Sequence, residues 1–583
     1  MEKVRTGDGD ITSEPATGAP DAERNNISLA PASAEKPEYM KGLSLHMLTA
    51  GIWIALFLST LETTIVSTSL VSIADSLSGF EYRNWVVTAY FLTYTGFLVI
   101  YAKLASIFGS KTMFLLALIL FTVFSIACGS ASSMTQLIIL RAFQGIGGSG
   151  IYSMVLVIAP GLVPQTEYGK YIGIISSVFA LASIVGPLVG GAISTTTTWR
   201  WVFLLNGPPG AASILLVAIF LPASKVEHSA SSFVTRLRAK FSRKTTQRVD
   251  IFGAFSLLAA SVLLVFALES GGTQYEWESA AIISTIVLSG LLWIVFIAQE
   301  MYLEHTTATQ EPIFPMGLLK NRFLASMMLT TFFIGFPFVT ILFTIPQQAQ
   351  AVYGLSAIKA SLSVLPLLLT SPAATAASGV LTSTFNVPPT YLIIAGAVIQ
   401  FIGVGLAIKI PLTGDDISAQ QYGFEAVMGV GFGLTLSTVL TLGQLIVSKE
   451  NAGVVMGALT QIRVLGGTIA LAICSAILSN HLKKSLAGVI TAEELEDISE
   501  TLASISSLGS ERAAEVKYAF AVGYRKQFQL LTGFSGAAFL ASLFLISRHP
   551  ITVRGVVSKN APSGSSDSNE STLRAPSETP QAT

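Results

Sequence analysis

Residues 112–131 read TMFLLALILFTVFSIACGSA, a run of twenty residues without a single charged side chain. A helix rises about 1.5 Å per residue, so a run of this length crosses a hydrocarbon core of about 30 Å. Outward from it the same pattern recurs at 47–73, 84–105, 135–159, 170–193, 201–221, 250–269, 280–300, 323–345, 357–380, 390–409, 423–447, 454–479 and 527–547. Short polar loops separate these stretches. A soluble core does not repeat such a pattern over roughly 500 residues. The reading is therefore an all-α polytopic membrane protein with fourteen transmembrane helices.

Composition agrees and excludes several functions. Of 583 residues, 51% are hydrophobic and only 12% charged, against about 25% charged in an ordinary soluble domain. Net charge is zero, so no basic surface argues for nucleic acid as a partner. The two cysteines, Cys128 and Cys474, both lie inside apolar stretches and form no disulfide framework. Five scattered histidines show no metal-ligand spacing. No nucleophile–base set is visible, nor a Gly-x-x-x-x-Gly-Lys-Ser/Thr phosphate loop, so neither an enzyme nor an ATP-driven pump is expected. No cofactor and no metal are expected either.

Lys and Arg decide orientation, because cytoplasmic loops collect them. The loop after the sixth stretch carries Lys225, Arg236, Arg238, Lys240, Arg243, Lys244 and Arg248. Lys111 follows the second stretch, and Lys320 and Arg322 follow the eighth, whereas Glu276 and Glu278 follow the seventh. Both termini are expected in the cytosol, as an even number of spans requires them to share a side. Lys483, Lys484, Arg525 and Lys526, at the ends of the non-cytoplasmic segment 481–526, run against the rule; longer loops obey it less strictly. Within that segment TAEELEDISETLASISS reads as a polar or amphipathic helix. The sequons at Asn26 and Asn569 fall in cytoplasmic tails, and glycans are not expected there.

The organisation that follows is a disordered tail 1–44, a six-helix half 45–222 and a basic loop 223–249. Two inserted helices with a linker (250–322), a second six-helix half (323–547) and a disordered tail 548–583 complete it. The first forty or so residues carry no apolar h-region, so no cleavable signal peptide is read.

Charge inside a span is the rarest event, since a Lys or Arg at a helix centre costs about 2.5–3.5 kcal/mol on insertion scales. Glu62 stands in LETTIVSTSL of the first span, about two-thirds of the way to the outer face. Arg141 stands in RAFQGIGGSG of the fourth, about two turns from its outer end, at matching depth. Gln144 shares the Arg141 face, and Thr63, Thr64, Ser67 and Thr68 make the outer half of the first span polar enough to line water. The pair reads either as a static packing bridge or as a working part of transport. In the fifth span, ASIVGPLVGGAIS sets Gly186 and Gly190 four apart, with Gly191 adjacent, so another backbone can approach closely; Pro187 bends the helix.

The ninth span holds Phe332, Phe333, Phe336, Phe338 and Phe343, with Pro337 and Pro346. Such aromatic faces suit a bulky apolar substrate, or ordinary packing. Gln347, Gln348 and Gln350 follow at its outer end. Gln444 in the twelfth span and Gln461 in the thirteenth are further polar candidates for a substrate cavity. Arg463, beside Gln461, either snorkels to the cytoplasmic face or lines the cavity.

Taken in order, these motifs resemble the major facilitator superfamily, and within it the 14-spanner drug:proton antiporters. LETTIVSTSL looks like that group's first-span motif, usually written with Asp where Glu62 stands. RAFQGIGGSG resembles its fourth-span motif through Arg141, Gln144, Gly145 and Gly147. GPLVGG resembles the antiporter motif through Gly186, Pro187, Gly190 and Gly191. WRWVFLLNGPPG, Trp199 to Gly210, is similar to the approach to the sixth span, and QIRVLGGTIALAI, with Arg463, Gly466 and Gly467, to the thirteenth. The resemblance covers about 45–547, and with the long tails it looks most like fungal toxin and multidrug exporters.

One motif departs. In the loop after the second span, AKLASIFGSK has Ala102, Ser106 and Ser110 where the family carries Gly, Asp and Arg; Gly109 and Lys111 remain. The charge network that this cytoplasmic gate loop forms in the family is therefore mostly missing. The corresponding loop of the second half, LTSTFNVPPTY, carries no charge.

The resemblance implies the major facilitator fold, two pseudo-symmetric halves of inverted three-helix repeats arranged as six plus two plus six. Spans one and nine then correspond, as do five and thirteen, so Gly466 and Gly467 mirror the glycine seam of the fifth span. It implies a secondary transporter exchanging protons for export of a bulky organic compound, such as a secondary metabolite or drug, across the plasma membrane. Glu62 and Arg141 carry proton coupling in this reading, and the lipid bilayer and small organic substrate are the partners of a monomer. A siderophore or vacuolar basic amino acid transporter of the same group is the alternative. A non-transporting receptor of transporter-like fold is the alternative of another class.

Overall fold

A computed structural model describes residues 40, 42–77, 83–163, 178, 181–182, 184–186, 188–190, 192–193, 196–222, 242–272, 275–306, 309–412, 414, 416–491, 494, 498, 505 and 508–555. Among them the elements are helices, with only isolated bridges such as Val249 with Glu311. The helices used below are α1 (Leu43–Ser76), α2 (Arg83–Phe108), α3 (Ser110–Gly129), α4 (Met134–Leu162), α5 (Gly207–Phe220), α6 (Ile251–Ser270), α7 (Ala280–His305), α8 (Arg322–Tyr353), α9 (Leu365–Ser383), α10 (Pro389–Ala407), α11 (Ala419–Ile446), α12 (Lys449–Ser485) and α13 (Ser510–Leu543). Twelve of the described helices are long and apolar enough to cross a membrane. Most of both tails, the Lys225–Lys240 part of the basic loop, most of 170–193 and most of TAEELEDISETLASISS lie outside the described residues.

Several helix ends follow from local chemistry. Ser133, Asp250 and Ser279 accept hydrogen bonds from backbone N–H groups in the first turns of α4, α6 and α7, satisfying donors that the helix itself leaves open. Asn321 does the same for α8. That helix ends at Gly354, whose φ of 65° is the left-handed conformation glycine adopts without cost. Helix boundaries depart from the sequence reading around 481–526. There α12 runs on through Ser485, and α13 starts at Ser510 and continues to Leu543. At 37 and 34 residues these helices exceed the roughly 20 a bilayer needs, so their charged ends extend beyond the apolar layer as helix where a loop was expected.

The cores show how the halves meet. At the end bearing Lys103, Lys111 and Arg248, Leu98 and Tyr101 of α2 and Met154 and Ile158 of α4 share one cluster with Leu440 of α11 and Met456 of α12. A second cluster joins Val99 and Ile100 of α2 to Leu324 of α8, Leu442 of α11 and Val455 of α12. At the other end the clusters separate: Leu61, Val86, Leu137 and Phe203 pack within the first half, and Ile341, Phe432, Ala470 and Phe528 within the second. Small residues permit the closure. A side chain at Gly457 would press on Ala102 and the Leu98 carbonyl, and one at Gly453 on Val157. The two halves are thus packed together at the end that bears Lys103, Lys111 and Arg248.

Helices α6 and α7 pack against each other as a pair. The Ser289 hydroxyl donates to the Ala260 carbonyl at 2.8 Å, tying them together. Gly96 of α2 packs against Leu258, and Gln461 of α12 donates to the Ser261 hydroxyl at 3.2 Å, so α6 touches both halves. Helix α7 lies outside: only 17% of its span is buried, and Ile283, Val287, Leu291 and Ile294 face outward, as lipid requires.

Candidate functional site

Glu62 and Arg141 meet. The guanidinium Nη1 lies 2.5 Å from Glu62 Oε1, and both side chains are buried. The other carboxylate oxygen, Oε2, accepts from Asn206 Nδ2 at 2.6 Å. Arg141 also donates from Nη1 to Gln144 Oε1 at 2.8 Å and from Nε to the Val86 carbonyl at 2.9 Å. Gln144 and Asn206 both donate to Ser125 Oγ, at 3.0 and 2.8 Å. The Tyr90 ring covers the guanidinium at 4.4 Å. One polar knot thereby clamps α1, α2, α3, α4 and the turn that enters α5.

Close packing permits the knot. Gly145 and Gly148 of α4 lie against Tyr90, and Gly147 lies against the backbone of Phe121 in α3, so a side chain at any of the three would collide. The RAFQGIGGSG motif therefore supplies the charge and also the room for neighbouring helices to present partners to it.

The remaining candidates divide. Thr63 hydrogen-bonds back to the Thr60 carbonyl in its own helix at 2.7 Å. Thr64 turns to the fifth span, donating to the Ala182 carbonyl at 3.3 Å and packing on Gly186. Ser69 donates to the Gly190 carbonyl at 3.3 Å, so the glycine face of the fifth span lies on α1. Pro187 and Gly191, and the side chains of Ser67 and Thr68, lie outside the described residues. The second half repeats this seam: Gly335 of α8 sits on the Arg463 backbone, while Gly466 and Gly467 of α12 sit on Phe332, Phe336 and Val339.

Phe336 is buried in the second-half core, 4.0 Å centroid to centroid from Phe534 of α13. Its neighbour Phe338 instead lines a cavity with Thr331, Phe432, Thr435, Thr460 and Arg463. Gln347 is exposed at the far end of α8, Gln444 lies two residues before α11 ends, and Gln461 turns to α6. None of these three lines that cavity. Arg463 does not snorkel: it lies fourteen residues into α12, is 9% exposed, and donates to the Tyr152 hydroxyl of α4 at 3.1 Å.

The loop around Gly109 and Lys111, with its neighbours Lys103 and Arg248, has the following partners. Gly109 adopts φ 92° between α2 and α3, a conformation that favours glycine. Lys111 donates to the Ala218 and Leu221 carbonyls at 2.8 and 2.6 Å, capping α5. Lys103 pairs with Glu311 at 2.9 Å, and Arg248 reaches the same carboxylate at 2.6 Å. Burial alone pushes Glu311 up, but hydrogen bonds and charge from Lys103 and Arg248 outweigh it and hold the carboxyl below its ordinary range. The uncharged loop after α9 gains a cation from elsewhere, as Arg554 donates to the Thr384 carbonyl at 2.9 Å and, through its backbone, to Asn386.

Asn206, Ser125 and Tyr90 were not singled out from sequence. Asn206 was visible as the polar break between an apolar run and Gly-Pro-Pro, but nothing local tied it to Glu62, 144 residues away. Ser125 and Tyr90 look like ordinary span residues until the helices pack.

This fold is that of a polytopic helical membrane protein with a buried ion pair. Residues 52–471 match the sequence model of the Major Facilitator Superfamily. An MFS-type transporter of Fusarium mangiferae, FPY5, is 47% identical over 544 residues, covering 93% of this chain and 89% of that one. The efflux pump aflT of Aspergillus parasiticus is 28% identical over 458 residues, covering 78% and 86%. In fold, the chain is similar to a bacterial homologue of the human lysosomal transporter Spinster, solved inward-facing and unoccupied, with a TM-score of 0.55, 16% identity and coverage of 87% and 98%. The chain belongs to the major facilitator superfamily.

Proposed function

We propose that the protein is a proton-coupled exporter of a bulky organic compound, working at the plasma membrane with fourteen spans arranged as six plus two plus six. The carrying observation is the Glu62 knot. Among the described residues of α1–α5, Glu62 is the one buried acidic side chain, and both its oxygens accept from a buried donor. A proton arriving at Glu62 removes the attraction to Arg141 and displaces a donor, so five packed elements lose their common clamp. Coupling requires that protonation and substrate binding favour different arrangements of the halves. An aromatic path supports the link: Tyr90 stacks on Tyr94 at 5.7 Å, Tyr94 lies 6.4 Å from Tyr152, and Tyr152 accepts from Arg463. The glycine seams at Gly186, Gly190, Gly466 and Gly467 let each half move as a packed unit.

The relative named as an efflux pump, aflT, supports the direction of transport. Purified protein in liposomes with an imposed pH gradient, offered neutral, cationic and anionic bulky dyes, provides the test. Wild type is expected to accumulate at least one dye in proportion to the gradient, and Glu62→Gln to bind it without accumulating it. Gradient-driven accumulation by Glu62→Gln would place the proton site elsewhere.

A further inference from the structure

Among the described residues two arginines are buried, and they differ. Arg141 is neutralised by Glu62. Arg463 is not: the ion pairs among the described residues join Lys103 and Arg248 to Glu311, Arg141 to Glu62 and Arg512 to Glu494, and none includes Arg463. It lies about 21 Å along α12 from the helix start, inside the stretch Asn451–Ser485 that is apolar and long enough to cross a membrane. Its polar contact is the neutral Tyr152 hydroxyl at 3.1 Å, and the Phe338 ring lies 5.4 Å from the guanidinium carbon. A cation withdrawn from water is costly unless an anion compensates it.

A second, independent observation points the same way. Arg463 lines the cavity between α8, α11 and α12, together with Thr331, Thr435 and Thr460. Thr331 Oγ1 is buried without a hydrogen-bond partner; several other buried polar groups among the described residues share that condition, but Thr331 is the one among them that lines this cavity. The remaining wall is Phe338, Phe432, Ile334 and leucine or valine side chains. The cavity interior holds about 20 Å³, room for about one water-sized group.

We infer that this cavity binds the anionic head group of the exported compound, a carboxylate, enolate or phenolate, through Arg463 and Thr331. The apolar body of the compound reaches Phe338 and Phe432 once α8, α11 and α12 part, because the closed cavity admits only about one water-sized group. Because Arg463 also holds Tyr152 of the other half, an anion that takes its donors loosens the contact between α12 and α4. This inference rests on the export reading for the identity of the compound, and its test does not need transport.

The probes are pyrenebutyrate, its methyl ester and pyrenebutylamine, one apolar body with three head groups. Binding to the purified full-length protein is read by energy transfer from its tryptophans, with no pH gradient present. Wild type is expected to bind the carboxylate roughly thirtyfold more tightly than the ester, the usual consequence of a buried charge pair. Arg463→Gln should abolish that preference, Arg463→Lys should keep part of it, and Thr331→Val should weaken only the carboxylate. If wild type shows no carboxylate-dependent binding, prefers the ammonium, or keeps its preference in Arg463→Gln, the inference is overturned. The wild-type comparison stands even if a variant fails to fold. Carboxylate binding without gradient-driven transport would refute the export reading and leave this site intact.

Discussion

Removing one member of the Glu62–Arg141 pair should cost far more than removing both. With their charges about 4 Å apart, the two groups attract by about 4 kcal/mol at an effective dielectric of about 20. Desolvation of each ion, several kcal/mol, largely cancels this in the intact protein. Glu62→Gln leaves Arg141 buried with Gln144, the Val86 carbonyl and the Tyr90 ring but no counter-charge, and about 3–5 kcal/mol should be lost. Arg141→Gln strands the carboxylate with Asn206 alone, at a similar cost. In the double variant no charge remains, and Asn206 and Ser125 can hydrogen-bond to either new amide. The two losses should therefore fall short of adding by about 3 kcal/mol. The assay is unfolding in mixed micelles, run on the wild type, both single variants and the double variant. Additivity within about 0.5 kcal/mol would show that the pair is not coupled in the folded protein and refute the reasoning. The double variant should recover stability without gradient-driven export, which separates holding the fold from moving a proton.

Gly335→Leu drives a side chain into the Arg463 backbone and should sharply reduce folded yield, measured by size-exclusion profile; Gly533→Leu, with open space at its position, should not. The Glu311 carboxyl is held below its ordinary range in the folded protein. Its contribution is thus present above the unfolded carboxylate value of about 4.3 and lost as pH falls through the folded one. Because the group is a third exposed, the stability at stake is about 1 kcal/mol or less. Glu311→Gln should remove that part of the acid-side fall in the unfolding midpoint, and an unchanged pH profile would argue against the Lys103–Glu311–Arg248 cluster. For topology, Glu278→Cys should react with an impermeant thiol reagent on intact cells and Asn321→Cys should not, while the buried Cys128 and Cys474 keep the background low; the reverse pattern would invert the orientation.

Fold class was legible because lipid imposes a length and a composition on each span, and both are local. TMFLLALILFTVFSIACGSA announces a membrane helix whatever it packs against. The candidate charges were legible for the same reason, since Glu62 and Arg141 stand out against apolar neighbours and their depths follow from counting turns. Helix ends around 481–526 were less so, because beyond the apolar layer charged residues extend a helix as readily as a loop.

Direction around the helix axis was a tertiary decision. Phe336 and Phe338 differ by two positions, yet Phe336 packs on Phe534 of α13 while Phe338 packs on Phe432 of α11 and lines the cavity. Gln461 and Arg463 differ by two and turn to α6 and to α4. In a membrane nearly every side of a helix is apolar, so the periodicity that marks the buried face of a soluble helix is faint. The partners of Glu62 were equally out of reach, because Asn206 and Ser125 are brought to it only when glycines let α1, α3, α4 and α5 close together. By itself the sequence determined that the chain crosses the bilayer many times, and it singled out Glu62 and Arg141 within the spans while passing over Glu300 and Glu425, which the packing buries as well. Packing alone decided that Arg141 is neutralised and Arg463 is not, because a counter-charge is a matter of which helix faces which.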